Sequence, residues 1–149
     1  MSQRGGSVVT YVRYGGHVYS PIIDKGQADF LVSFELLEAA RYTEYLKKTG
    51  KVVTNTQQIN PMPVITGAAE YPADLVGKMR AAGVDVDAFD ALSLAEQAGS
   101  PKAVNIVLMG HLSKHFDFSL DEWMTAVEQS VPAKYLELNK KAFLLGRNA

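Results

Sequence analysis

Residues 29–55 narrow most sharply what this chain can fold into. Asp29-Phe30-Leu31-Val32-Ser33-Phe34 is a short apolar run, as expected of a strand in a sheet buried on both faces. Glu35 then opens a helix expected to reach Lys48, with Leu36, Ala39, Thr43 and Leu46 at helical spacing. Glu35 and Glu38 in its first turn and Lys47 and Lys48 in its last suit the helix dipole, and Gly50 is placed to cap its end. Lys51-Val52-Val53-Thr54-Asn55 reads as the next strand. Strand, helix and strand over so short a span make a βαβ unit, so the two strands are expected to be parallel. Ligands of such sheets gather outside the carboxyl ends of the strands. Residues 33–35 and 55–57 lie there and are the first places to look for a site.

The flanking chain reads as follows. Val8 to Arg13 has strand composition, Gly15-Gly16 breaks it, and residues 17–23 form a second, weaker extended run. Asn60-Pro61-Met62-Pro63 is expected to be a crossing loop, not helix or central strand, followed by a short strand at Val64-Ile65-Thr66. Pro72 suits the first position of a helix ending near Gly83, with Leu75, Met79 and Ala82 on one face. Residues 84–87 fit an edge strand, and residues 91–98 a short helix stopped by Gly99. From Ala103 the chain becomes helical. Val104, Ile106, Val107, Leu108, Met109 and Leu112 leave few polar positions, so this helix is expected to be largely buried. Ser119 and Glu122 form a capping-box pattern for a helix whose core face is Leu120, Trp123, Met124 and Val127. A last helix runs from Ala133 to about Leu145, ended by Gly146. The expected fold is α/β: a mostly parallel sheet flanked by helices, then a helical C-terminal half, in one domain over residues 1–149.

Composition closes off several classes. Fifteen Lys and Arg against sixteen Asp and Glu give no electrostatic footprint for nucleic acid or an anionic membrane. The chain has no cysteine, so it offers neither a disulfide nor the usual thiolates of an iron–sulfur cluster. No apolar run follows Met1 as in a signal peptide, and none approaches a membrane span of roughly 20 residues. A cytoplasmic location is the expectation.

Few residues announce chemistry. At Gln3-Arg4-Gly5-Gly6-Ser7, paired glycines allow close approach of the backbone to a ligand, and the Arg4 fork suits a carboxylate or phosphate. A plain turn entering a strand explains the same residues. Asn55-Thr56 either lines a crevice at a strand end or forms an Asx turn. His111 and His115 stand four apart on a helix, but no third ligand is apparent, and Leu112 replaces the glutamate of an H-E-x-x-H motif. Structural or solvated histidines are the simpler reading, and His17 is isolated. Gly110 in an apolar helix indicates close packing, and Asn105 and Asn139 read as structural. There is no dinucleotide or P-loop glycine motif, no Ser–His–Asp order and no acid–base carboxylate pair.

The ordered set Gln3-Arg4-Gly5-Gly6-Ser7-Val8, Val12-Arg13, Ser20-Pro21 and Ala28-Asp29 resembles the γ-type subunit of 2-oxoacid:ferredoxin oxidoreductases, and most closely the indolepyruvate branch. Glu38, Arg41, Asn55-Thr56, Pro61, Gly67, Tyr71-Pro72, Asn105, Gly110, Asn139 and Ala142-Phe143…Gly146 continue the pattern. The resemblance implies oxidative decarboxylation of an aryl or other 2-oxoacid to an acyl-CoA, with electrons passing to ferredoxin. It implies thiamine diphosphate with magnesium, iron–sulfur clusters and CoA in the complex, with the redox chemistry on a large α-type partner. No G-D-G…N-N thiamine diphosphate motif occurs in this chain. Arg4, Gly5, Gly6 and Ser7 are then expected at a substrate or CoA pocket or a subunit seam, Asn55 and Thr56 with them, and no residue here is catalytic. Family members open with a strand, a G-x-G-G-x-G turn and a helix before the Q-R-G-G turn. That crossover takes on the order of 30 residues. It is absent here, so the expectation is an N-terminally shortened chain, through an internal start or a cut, that lacks an interior strand. Two alternatives stand beside the subunit reading. One is a stand-alone α/β module binding a CoA-like or other anionic small molecule. The other is a non-enzymatic interaction domain whose exposed sheet edge pairs with a second copy.

Overall fold

The structure is a computed structural model and describes residues 8–149. Its centre is strand β2, Leu46–Asn55, with β1, Ala28–Ser33, on one side and β3, Asp85–Phe89, on the other. Both pairings are parallel, with Leu31 opposite Val52 and Val53 opposite Asp87. Val52, Val53, Thr54 and Asn55 are wholly buried, as a central strand covered on both faces requires.

Helices α1, Leu36–Tyr42, and α3, Leu75–Ala81, cover one face. There Ala39 and Met79 pack with Val52 and Val86. The other face carries α4, Ala91–Ala98, α5, Val104–Leu112, and α7, Leu136–Asn148, over Val53. Helix α6, Leu120–Ser130, begins with the expected capping box and lays Trp123 against Phe143 at 5.7 Å between ring centroids. This is the α/β sheet with a helical C-terminal half that the sequence leads one to expect. Of the expected edge strand at residues 84–87, Val84 stays outside and residues 85–87 belong to β3, which continues to Phe89; α4 ends at Gly99 as anticipated.

Several boundaries differ. The helix after β1 stops at Tyr42, passes through a single 3-10 turn, and gives way to strand at Leu46 rather than reaching Lys48. Leu46 is buried as its spacing required, but by pairing with Ala28. The register then jumps, since Phe30 is already opposite Lys51. Gly50 sits in this irregular stretch, not at a helix end. A Cβ there would stand 2.9 Å from both the Ala28 carbonyl and the Leu46 side chain, so close backbone approach is what calls for glycine.

Residues 8–13 and 17–23 are not strands; no strand precedes Ala28 among the described residues. β-propensity needs a ladder to express itself. Here Arg13 donates to the Ser20 and Ile22 carbonyls instead, and Tyr11 and Tyr14 reach Tyr45 and Phe116. Val64 and Ile65 are not a strand either. They belong to a one-turn helix α2, Met62–Ile65, which tolerates Pro63 because first-turn N–H groups lack intrahelical partners. Helix α3 begins after Asp74, whose side chain caps Gly77 N–H, and not at Pro72. Gly146 does not end the last helix. It lies inside α7, where it and Gly110 of α5 let the two backbones meet: a Cβ on either would overlap the other helix's main chain, at Val107 and Phe143 respectively.

Candidate functional site

The carboxyl ends of β1 and β2 are held together by buried polar groups. Asn55 is wholly buried, and its amide is fully engaged. Nδ2 donates to the Phe34 carbonyl at 3.3 Å and to Gln57 Oε1 at 3.4 Å, while Oδ1 accepts from the N–H of Ala91 at 3.1 Å. One side chain thus ties the end of β1, its own strand and the start of α4. Thr56 beside it is exposed, and its backbone N–H donates to the Phe89 carbonyl.

Glu35 is the other anchor. It is the N-cap of α1, not its first helical residue, and is buried to 5 % exposure. Oε2 accepts from Glu38 N–H at 2.8 Å, and Oε1 accepts from Ile59 N–H at 3.2 Å and from the Tyr71 hydroxyl. Ser33 Oγ donates to the Glu35 carbonyl at 2.7 Å. A buried carboxylate needs such donors, and three protein groups supply them. Burial, then the hydrogen bond to and the charge of Glu35, push the Tyr71 phenol well above its ordinary range, so it remains a donor. The consequence is mechanical: the loop from Thr56 to Tyr71 is pinned over the strand ends. Both Glu35 oxygens are occupied, so the arrangement positions that loop and does not present a free base.

Of the residues expected at a site, Asn55 and Thr56 do lie at the carboxyl end of the sheet. Arg4, Gly5, Gly6 and Ser7 lie outside the described residues. The Glu35–Tyr71 pair was not legible as a pair, because its members stand 36 residues apart. Asn105 is exposed and, with Asn139 and Tyr135, lines a cleft between α5 and the start of α7.

A second polar cluster sits under α5. Its members are Lys51 of β2, Asp85 and Asp87 of β3, and His111 and His115. Lys51 Nζ lies 2.8 Å from Asp85 Oδ2 and 3.3 Å from Asp87 Oδ2. Nε2 of His111 and of His115 lie 3.2 and 3.3 Å from that same Asp87 oxygen. The sequence offers no evident third group beside the two histidines; folding supplies one, from a strand 24 residues away from His111. Burial opposes the Asp87 charge, but hydrogen bonds from His111 and Lys51 outweigh it and hold the carboxyl below its ordinary range. Burial lowers His111, against the pull of Asp87, and so favours the neutral ring. The signal in the sequence was the alternation Asp85-Val86-Asp87, which puts two carboxylates on one face of a strand.

The parallel βαβ core, the helical second layer and the pinned strand ends define an α/β family that comparison identifies. The family model for pyruvate ferredoxin/flavodoxin oxidoreductase matches residues 1–149, and the chain belongs to that family. Within it, the chain is 44% identical over 154 residues to indolepyruvate oxidoreductase subunit IorB of Thermococcus kodakarensis, covering 100% of this chain and 76% of that protein. It is 43% identical over 161 residues to IorB of Pyrococcus horikoshii, with the same coverage of each. Among solved structures it resembles the gamma subunit of a keto/oxoacid ferredoxin oxidoreductase from Geobacter sulfurreducens. The TM-score is 0.60 at 24% identity, over 85% of this chain and 66% of that one, a likeness of fold.

Proposed function

We propose that this chain is the γ-type subunit of a 2-oxoacid:ferredoxin oxidoreductase acting on indolepyruvate or a related aryl pyruvate. The observation that carries the reading is the 44% identity to an indolepyruvate oxidoreductase subunit across the whole of this chain. In this reading residues 1–149 form one domain that packs on a large α-type subunit. The partner binds thiamine diphosphate and magnesium, carries the iron–sulfur clusters, and passes electrons to ferredoxin. A chain without cysteine does not fit thiolate ligation of such clusters, which supports placing them on the partner. Among the described residues no helix is long and apolar enough to cross a membrane, and the complex is assigned to the cytoplasm.

Val12, Tyr14, Tyr19 and Ile22 are 74%, 71%, 96% and 60% exposed within one short stretch of chain. Apolar side chains so displayed support burial against another subunit over a stand-alone binding module. The roles of the site residues belong to the same reading. Arg4, Gly5, Gly6 and Ser7 contact CoA or the subunit seam, Thr56 faces the same pocket, and Asn55 holds the strand ends beneath it. No catalytic residue is assigned to this chain.

The test is reconstitution with a large subunit of an indolepyruvate oxidoreductase, following CoA-dependent reduction of ferredoxin by indolepyruvate, phenylpyruvate and pyruvate. The expected result is a stable complex, activity lost when this chain is omitted, and kcat/KM favouring the aryl substrates. An Arg4→Ala complex should assemble and show a raised KM for CoA. A chain that never associates with the large subunit, or whose omission leaves 2-oxoacid oxidation unchanged, would overturn the proposal.

A further inference from the structure

We propose that Asp87, His111 and His115 form a binding site for a divalent transition-metal ion of the zinc type, which ties the C-terminal end of α5 to strand β3. Two imidazole nitrogens and a carboxylate oxygen are the donor set that zinc and its neighbours prefer, and a poor set for magnesium or calcium. Metal–ligand bonds of 2.0–2.2 Å in a tetrahedron set neighbouring donor atoms roughly 3.4 Å apart. The two Nε2 atoms stand 3.2 and 3.3 Å from Asp87 Oδ2, and all three donor atoms lie within 4.8 Å of one another. Small rotations of the rings complete the triangle.

Two further observations favour a cation there over a closed hydrogen-bond network. Asp87 Oδ2 is approached by three nitrogens, those of Lys51, His111 and His115, although a carboxylate oxygen has two lone pairs. Two carboxylates, Asp85 and Asp87, also share the single ammonium of Lys51, leaving one negative charge over when the imidazoles are neutral. Asp85, the nearer partner at 2.8 Å, keeps Lys51 paired once a metal takes Asp87. His111 is buried, while a quarter of the His115 side chain is open to solvent, which gives the ion a way in and leaves room for water as the fourth ligand. Bound there, the ion would fasten β3, a sheet edge, to the helical layer through groups distant in sequence. The site lies apart from the loop pinned by Glu35 and does not depend on the proposed oxidoreductase role.

The experiment uses the full chain purified free of chelators. It is loaded with zinc, desalted, and assayed for bound metal by plasma mass spectrometry, with cobalt(II) as a spectroscopic reporter of nitrogen and oxygen ligation. The expected result is about one zinc retained per chain, with zinc raising the unfolding temperature. His115→Ala, at the solvent-facing ligand, and Asp87→Asn should each weaken zinc affinity by about 100-fold or more, beyond the usual effect of an outer-shell change. His17→Ala should leave it unchanged. If Asp87→Asn fails to fold, His115→Ala decides the matter, with far-ultraviolet circular dichroism confirming its fold. The proposal is overturned if no zinc is retained, if His115→Ala binds zinc as tightly as the parent, or if His17→Ala abolishes binding.

Discussion

At the scale of single residues, two buried polar groups carry the strand-end architecture, and each makes a sharp prediction. Asn55→Ala leaves the Ala91 N–H without its acceptor and removes the amide donor from the Phe34 carbonyl. Orphaned buried groups of this kind cost about 1–3 kcal/mol each, so the variant should lose about 3 kcal/mol in urea denaturation. Asn55→Asp retains an acceptor for Ala91 but sets a buried carboxylate against the Phe34 carbonyl and Gln57 Oε1, so at neutral pH it should lose at least as much. Tyr71→Phe removes one of three donors to the Glu35 carboxylate and should destabilise by about 2 kcal/mol. It should also speed proteolysis within residues 56–70, since that loop is tethered through Glu35. The sequence placed Asn55 and the 33–35 turn at the right end of the sheet, because parallel strands with polar termini have only one arrangement relative to their crossover. It could not say that the Asn55 amide faces inward to main-chain groups, since those partners come from β1 and α4.

At the scale of elements, caps and close approaches decide where helices sit. Asp90 caps α4, accepting from the N–H and hydroxyl of Ser93, and these hydrogen bonds hold its carboxyl below the ordinary value of 3.8. A carboxyl depressed in the folded state stabilises the fold above its unfolded pKa and loses that contribution as pH falls through the folded one. Asp90→Ala should therefore cost about 1 kcal/mol at neutral pH. The gap between variant and parent in urea midpoint should narrow as pH falls below the ordinary carboxylate range, where the depressed Asp90 carboxyl takes up its proton. Helices α5 and α7 cross through Gly110 and Gly146 with main chain against main chain. Gly110→Ala gains about 1 kcal/mol of intrinsic helix preference yet should be destabilised overall by at least about 2 kcal/mol, because a backbone cannot swing aside as a side chain can. Thermal denaturation of the single variant checks this. The packing role of Gly110 was legible, since glycine in an apolar helix has few other uses. Gly146 was misread as a stop because its sequence position, after a helical stretch, matches that of a C-cap.

At the scale of the whole molecule, the chain offers two surfaces of different kinds. One is the apolar stretch around Val12, Tyr14, Tyr19 and Ile22, which fits burial against a larger subunit. Substituting Val12 and Tyr19 together by Ser should leave the isolated chain's stability within about 0.5 kcal/mol, since both side chains are exposed in it. The same variant should weaken assembly with the large subunit, as read by analytical ultracentrifugation. The other surface is the carboxyl end of the sheet, where Thr56 and Gln57 are exposed beside the Asn55 clamp.

By itself the sequence determined the βαβ unit, the parallel sheet, the largely buried fifth helix and the family. These rest on local periodicity and on an ordered set of residues, both of which survive without knowledge of contacts. Tertiary structure alone decided where the first helix gives way to strand, why Gly50 and Gly146 are glycines, and that residues 8–23 remain irregular. It alone brought Tyr71 to Glu35, and Asp87 to His111 and His115. The physical reason is common to all of these. Each depends on the free energy of a contact between groups far apart in the chain, and propensity and spacing record only what a residue does with its near neighbours.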